Sequence, residues 1–143
     1  MKTSRFLSLL ITGCLILNSA NAFAFNDNVE KYTTSIEYLS TKGVIVGYGG
    51  DDYQPERDIS LAEFFKIILA NYDFEPEEIT RYTHPFEDID NENDWFAPYI
   101  EKAWEIGLLD KTTELNPHKT ITRVQALKYA LNFMGIPMPK LIN

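Results

Sequence analysis

One cysteine, two histidines and only 13 basic residues against 21 acidic ones set the limits of this 143-residue chain. A single cysteine cannot build a disulfide framework, a thiolate metal site or a dithiol redox centre. His84 and His118 each adjoin a proline, and no His-Glu-x-x-His, Gly-x-Ser-x-Gly or phosphate-cradling glycine loop accompanies them. A net charge of −8 at pH 7 argues against nucleic acid, whose phosphates demand a surplus of Lys and Arg. Paired carboxylates are too abundant to mark a glycosidase. The sequence reads as a non-enzymatic binding protein that calls for no cofactor and no metal.

What is present begins with a leader. Residues 1–5 are short and basic, 6–17 are almost unbroken apolar, and 18–24 turn small and polar, ending in Ala20-Asn21-Ala22 and Ala22-Phe23-Ala24. This is the layout of a secretory signal peptide over 1–24, cut after Ala22 or Ala24, and its apolar run is short for a membrane span. Loss of Lys2 and Arg5 leaves 11 basic residues against 21 acidic, a net of −10 on the exported chain. The expected location is the periplasm or the cell surface and wall, with no transmembrane segment after cleavage. Ile11-Thr12-Gly13-Cys14 offers an alternative, since it resembles a lipobox that would lipidate Cys14, although Leu15-Ile16-Leu17 continues the apolar run where a polar tether would stand.

The remainder repeats itself. Pro55 and Pro117, Ile59 and Ile121, Lys66 and Lys128, and Leu69 and Leu131 lie 62 positions apart; Ile36 and Ile100, and Gly43 and Gly107, lie 64 apart; Phe25-Asn26-Asp27 matches Phe86-Glu87-Asp88 at 61. The offsets define one unit over 25–73, an acidic, proline-containing connector over 74–85, a second unit over 86–136 and a tail over 137–143. Each unit reads as helix, loop, helix, giving an all-α fold in which the two packed units share one small domain.

Local signals place the helices. Asp27 with Glu30, and Asp94, are the expected caps of the first helices, which carry the stripes Val29, Tyr32, Ile36, Leu39 and Phe96, Tyr99, Ile100, Ala103, Trp104. Pro98 suits a first turn, and Gly43 and Gly107 suit the helix stops. Ser60-Leu61-Ala62-Glu63 and Thr122-Arg123-Val124-Gln125 have the form of capping boxes opening the second helices. The stripes behind them, Phe64, Phe65, Ile68, Tyr72 and Val124, Leu127, Leu131, Met134, are expected in the core.

These residues resemble the S-layer homology family, whose repeat runs from Phe-x-Asp through a Gly-Ile-Ile-x-Gly-Tyr turn and a Phe-x-Pro loop to Ile-Thr-Arg-Ala-Glu. The counterparts are Phe25-Asn26-Asp27, Gly43-Val44-Ile45-Val46-Gly47-Tyr48, Tyr53-Gln54-Pro55 and Ile59-Ser60-Leu61-Ala62-Glu63. The second unit supplies Phe86-Glu87-Asp88, Gly107-Leu108-Leu109, Leu115-Asn116-Pro117 and Ile121-Thr122-Arg123-Val124-Gln125. The resemblance implies helix–loop–helix repeats and non-covalent attachment to a cell-envelope glycan or peptidoglycan-linked polymer. It also implies grooves between neighbouring repeats, formed partly by the motif arginine. That arginine is Arg123 in the second unit, whereas Leu61 replaces it in the first.

The candidate glycan contacts are Arg123, Tyr48, Tyr53, Trp95 and Asp88. Arg123 sits at a helix opening that favours anions, and the tyrosines flank an acidic, glycine-rich loop. Trp95 fits a core position as well as a sugar-stacking one. Residues 88–94 place oxygen ligands at alternate positions, but Asn93 and Tyr99 occupy the Gly and Glu positions of a calcium loop, so a solvated acidic loop is expected. The alternative to glycan attachment is an envelope interaction or self-assembly subunit, a homo-oligomer or the partner of another envelope protein.

Overall fold

A computed structural model describes residues 25–27, 30–49 and 52–136. The expected signal peptide over 1–24, the tail over 137–143 and Val29 lie outside the described residues. Among those described, the chain is all-α, with no strand and four α-helices: α1, Thr33–Thr41; α2, Leu61–Ala70; α3, Ala97–Glu105; and α4, Arg123–Phe133. Short 3₁₀ turns at Glu30–Tyr32 and Pro76–Glu78 precede α1 and follow α2.

The second helices start as their sequences dictate. Ser60 Oγ accepts the Glu63 amide while Glu63 reaches back to the Ser60 amide, and Thr122 and Gln125 do the same for α4. Gly43 and Gly107 end the first helices with φ of +72° and +75°. The first helices start differently from expectation. The carboxylate of Asp27 accepts the amides of Tyr53 and Gln54, both at 2.7 Å, and the residue before α1 is Tyr32, without a side-chain cap. Asp94 accepts the Asp90 amide, and Phe96 precedes α3. Each carboxylate found loop amides to satisfy in place of a helix start.

Helix α2 is the hub. Phe65, Ala62 and Leu69 face α3, where Phe96, Ile100 and Ala103 close a cluster that also takes in Phe74, Phe86 and Leu109. Ile67 and Ala70 face a smaller cluster of Phe25, Ile36, Val44 and Ile45. Phe65 is fully buried; removing such a ring costs about 3–5 kcal/mol in typical cores. The connector is stitched to the body. Phe74 is buried, Ile79 and Tyr82 pack on the main cluster, and the buried Glu101 of α3 accepts the amides of Thr83 and His84 at 2.9 and 3.0 Å.

Helix α4 departs from the expected core assignment. It has no buried residue: Tyr129 and Phe133 pack on Phe64, Phe65 and Tyr72 of the α2 region, but Val124, Leu127 and Met134 are exposed. Tyr32 and Tyr72 are exposed as well. Helical period identifies an apolar stripe, but burial requires a neighbour to lie against it.

Candidate functional site

The segment after α1 turns at Gly47, where a hydrogen bond from the Tyr48 amide to the Asp52 carbonyl closes the loop. Asp27 then fixes the returning segment through its two bonds to Tyr53 and Gln54, and these bonds lower the pKa of its carboxyl despite a desolvation cost. Gln54 takes a positive φ of 58°, its carbonyl accepts the Arg57 amide, and the chain enters α2 at Ser60. Between this loop and α2 lies a cleft of about 340 Å³, with Trp95 also in its wall.

Polar groups converge on its edge. Glu63 uses Oε2 to accept the Ser60 amide at 2.7 Å, which leaves Oε1 for Arg57 Nη1 at 2.9 Å and for the Tyr48 hydroxyl at 3.2 Å. Arg57 Nη1 also donates to the Tyr48 hydroxyl, and the guanidinium lies 4.2 Å from the centre of that ring. Burial opposes ionisation of Glu63, but the Ser60 amide and Arg57 together outweigh it and lower its pKa. Burial first, and the Glu63 charge second, raise the pKa of the Tyr48 hydroxyl, keeping it a neutral donor. Lys66, also in the lining, donates to the Val44 carbonyl at 2.6 Å, and its burial lowers its pKa. A guanidinium has five N–H donors, so Arg57 retains capacity for a ligand.

A second cleft, of about 250 Å³, lies at the corresponding place beside α4. Its Leu115, Asn116, Lys119 and Gln125 stand 62 positions after Tyr53, Gln54, Arg57 and Glu63. Asn116 has φ of 57°, its carbonyl accepts the Lys119 amide, and Asp88 accepts the amides of Leu115 and Asn116. A lysine and an amide here replace the first cleft's arginine and carboxylate, and Asp110 and Glu114 make the lining more acidic.

Of the sequence candidates, Tyr48, Tyr53 and Trp95 come together in the first cleft, and Trp95 is half exposed rather than core. Asp88 lies outside it, engaged with its own loop. Arg123 is exposed at the first position of α4 and lines neither cleft. The cations that do line the first cleft are Arg57 and Lys66, and Arg57 is the one joined to Tyr48 and Glu63. Its sequence signal was its alignment with Lys119 at the repeat offset. In the acidic loop, Asp90 accepts the amides of Glu92 and Asn93.

Among known families, the S-layer homology domain matches residues 25–65, the stretch that builds the loop, Arg57, Glu63 and the opening of α2. The match to the S-layer homology domain covers that one stretch. Such a domain is a binding module of the cell surface. The chain is 29% identical over 131 residues to exoglucanase XynX of Acetivibrio thermocellus, covering 90% of this chain and 12% of that protein. It is 24% identical over 139 residues to the surface layer protein of Brevibacillus choshinensis, again 90% of this chain and 12% of the relative. The middle cell wall protein of Brevibacillus brevis matches at 24% over 106 residues, 71% of this chain and 10% of its own. The chain thus spans about an eighth or less of each of these relatives. No solved structure matches. No helix among the described residues is long and apolar enough to cross a membrane.

Proposed function

We propose that this chain is exported through residues 1–24 and attaches non-covalently to a cell-envelope glycan or peptidoglycan-linked polymer, with the first cleft as its contact site. One observation carries the reading: an Arg57–Glu63–Tyr48 cluster and a half-exposed Trp95 line one cleft, most of it within the region matched to the S-layer homology domain. A sugar offers an apolar ring face to an aromatic side chain and a rim of hydroxyls to charged partners, and this lining supplies both. The surface-layer and cell-wall relatives support the location. The cleft also answers the charge problem. A chain with ten surplus negative charges is repelled by an anionic polymer, except where Arg57 and Lys66 provide a local cationic edge. The division into units 25–73 and 86–136, supported by the matched loops at Asp27 and Asp88, makes the second cleft a weaker, more acidic version of the first.

The test is co-sedimentation of the exported chain with isolated envelope material. Trp95→Ala should lower the pelleted fraction at least fivefold with only a small shift in melting temperature, because the ring is half exposed and loses only its edge contacts with Phe96 and Tyr99. Undiminished pelleting by that variant removes the first cleft from the account. Arg123→Ala, run beside it, tests the exposed helix-opening cation independently.

A further inference from the structure

The second cleft holds charges of both signs that the fold does not use. In the first cleft the charged side chains are partnered within the chain: Arg57 pairs with Glu63 at 2.9 Å, and Lys66 donates to the Val44 carbonyl at 2.6 Å. Where Glu63 stands in the first unit the second has Gln125, whose Oε1 accepts the Thr122 amide and hydroxyl at 3.0 and 2.9 Å. Lys119, in the place of Arg57, is therefore left without the carboxylate that Arg57 meets, and Asp110 stands where the first unit has the apolar Val46. Among the described residues the side chains of Lys119, Asp110 and Glu114 make no hydrogen bond and no ion pair, although all three line one cleft of about 250 Å³. The floor beneath them is apolar: Leu109 is buried, and Leu61, Leu115 and Tyr129 pack on the main cluster. Phe64 and Phe65 hold the Tyr129 ring, and burial first, then the Asp110 charge, raises the pKa of its hydroxyl, which stays a neutral donor.

We propose that the second cleft binds a small zwitterionic group, the ammonium and carboxylate of an amino-acid end, with Asp110 and Glu114 taking the ammonium and Lys119 the carboxylate. The charges of the lining select this class. A simple anion meets two repelling carboxylates and a simple amine meets one repelling ammonium, whereas a ligand bearing both signs finds a partner for each. Size agrees: pockets for drug-sized ligands run from roughly 300 to 1,000 Å³, so a cleft of about 250 Å³ takes one residue rather than a run of polymer. The apolar floor then covers the hydrocarbon that joins the two charges. A free amino acid and the amino-acid end of an envelope-attached peptide share this chemistry. The two clefts have no lining residue in common, so this inference stands apart from the glycan reading of the first.

Titration of the isotope-labelled exported chain with leucine at fixed ionic strength, followed by amide chemical shifts, tests this. Leucine should move the amides of Asp110, Glu114 and Lys119 saturably in the millimolar range. Isoamylamine, which is leucine without its carboxylate, and isocaproate, which is leucine without its ammonium, should each bind at least fivefold more weakly. Lys119→Met and, separately, Asp110→Asn should each weaken leucine at least fivefold and leave the melting curve in place, since both side chains are exposed and unbonded. Trp95→Ala should bind leucine like the wild type, which keeps this test separate from that of the first cleft. Co-sedimentation of Lys119→Met then tells the two sources apart: a lowered pelleted fraction assigns an envelope-attached peptide, an unchanged one a free amino acid. The absence of a saturable shift at these amides overturns the proposal, and so does isoamylamine or isocaproate binding as tightly as leucine.

Discussion

Asp27 and Asp88 hold their loops in the same way: each carboxylate accepts two successive amides, Tyr53 and Gln54 in one case, Leu115 and Asn116 in the other. Both loops then pass through a residue with a left-handed φ, Gln54 at 58° and Asn116 at 57°. The two aspartates therefore set the position of Arg57 and Lys119 at the cleft edges.

Replacement of either aspartate by alanine should lower the melting temperature, with asparagine milder because one acceptor oxygen survives. For Asp27 the pKa is depressed by its bonds to Tyr53 and Gln54, so its contribution is fully present above the unfolded value of about 3.9 and fades as pH falls through the lower folded value. Melting curves between pH 6 and pH 3 check this; an alanine variant whose acid sensitivity equals the wild type's would contradict it.

Glu101 should behave as a buried clasp. Its Oε2 accepts two connector amides and its Oε1 the Thr83 hydroxyl at 2.6 Å. Glutamine can keep the amide bonds and donate to the hydroxyl, so Glu101→Gln should cost about 1 kcal/mol, whereas Glu101→Leu strands two amides and should cost about 3 kcal/mol. Burial raises the pKa of Glu101 and the Thr83 and His84 bonds more than reverse that. Its stabilisation is accordingly complete above about pH 4.3 and lost below it as the folded carboxyl takes up a proton. Urea denaturation at pH 6 and pH 3 measures both effects.

Gly47 tolerates no side chain. It has φ of +70°, and a Cβ there would meet the Asp52 carbonyl oxygen at 2.5 Å and Phe25 Cε1 at 2.7 Å. Gly47→Ala should cost about 2 kcal/mol or more, from the left-handed backbone and the contact with a fixed main chain. By contrast Gly49, also at positive φ, has open space around it, and Gly49→Ala should cost less. Equilibrium unfolding of the two variants compares them directly.

Arg57→Lys separates charge from geometry. A lysine keeps a positive charge near Glu63 but cannot lie flat on the Tyr48 ring or offer a planar fork. Envelope binding should fall for lysine and fall further for alanine, with weakening of both variants and wild type in high salt; equal binding by all three would leave the guanidinium without a role.

Much of this was legible because it is local. A hydroxyl followed three residues later by Glu or Gln, and a glycine after an apolar stripe, determine helix ends within a few bonds, and both capping boxes and both glycine stops stand where the sequence puts them. The starts of α1 and α3 were not legible, because Asp27 and Asp94 have amides to satisfy that are distant or on the other side of a turn. Nor could periodicity tell α2's covered face from α4's open one; that depends on a neighbour the stripe does not encode. Arg57 escaped for a related reason: a loop arginine acquires a role only when folding brings it onto Tyr48 and Glu63.

The start of α2 has a further consequence. Its first amides, on Leu61 and Ala62, donate to the carbonyls of Lys119 and Pro117, and the Ile121 amide returns a bond to Ile59. The helix that frames the first cleft is thus pinned by residues more than fifty positions downstream, and the Trp95 wall comes from between them. Anyone cutting out residues 25–65 as a portable tag would remove the wall and unfasten the helix together, so the smallest transplantable cassette must extend past Ile121.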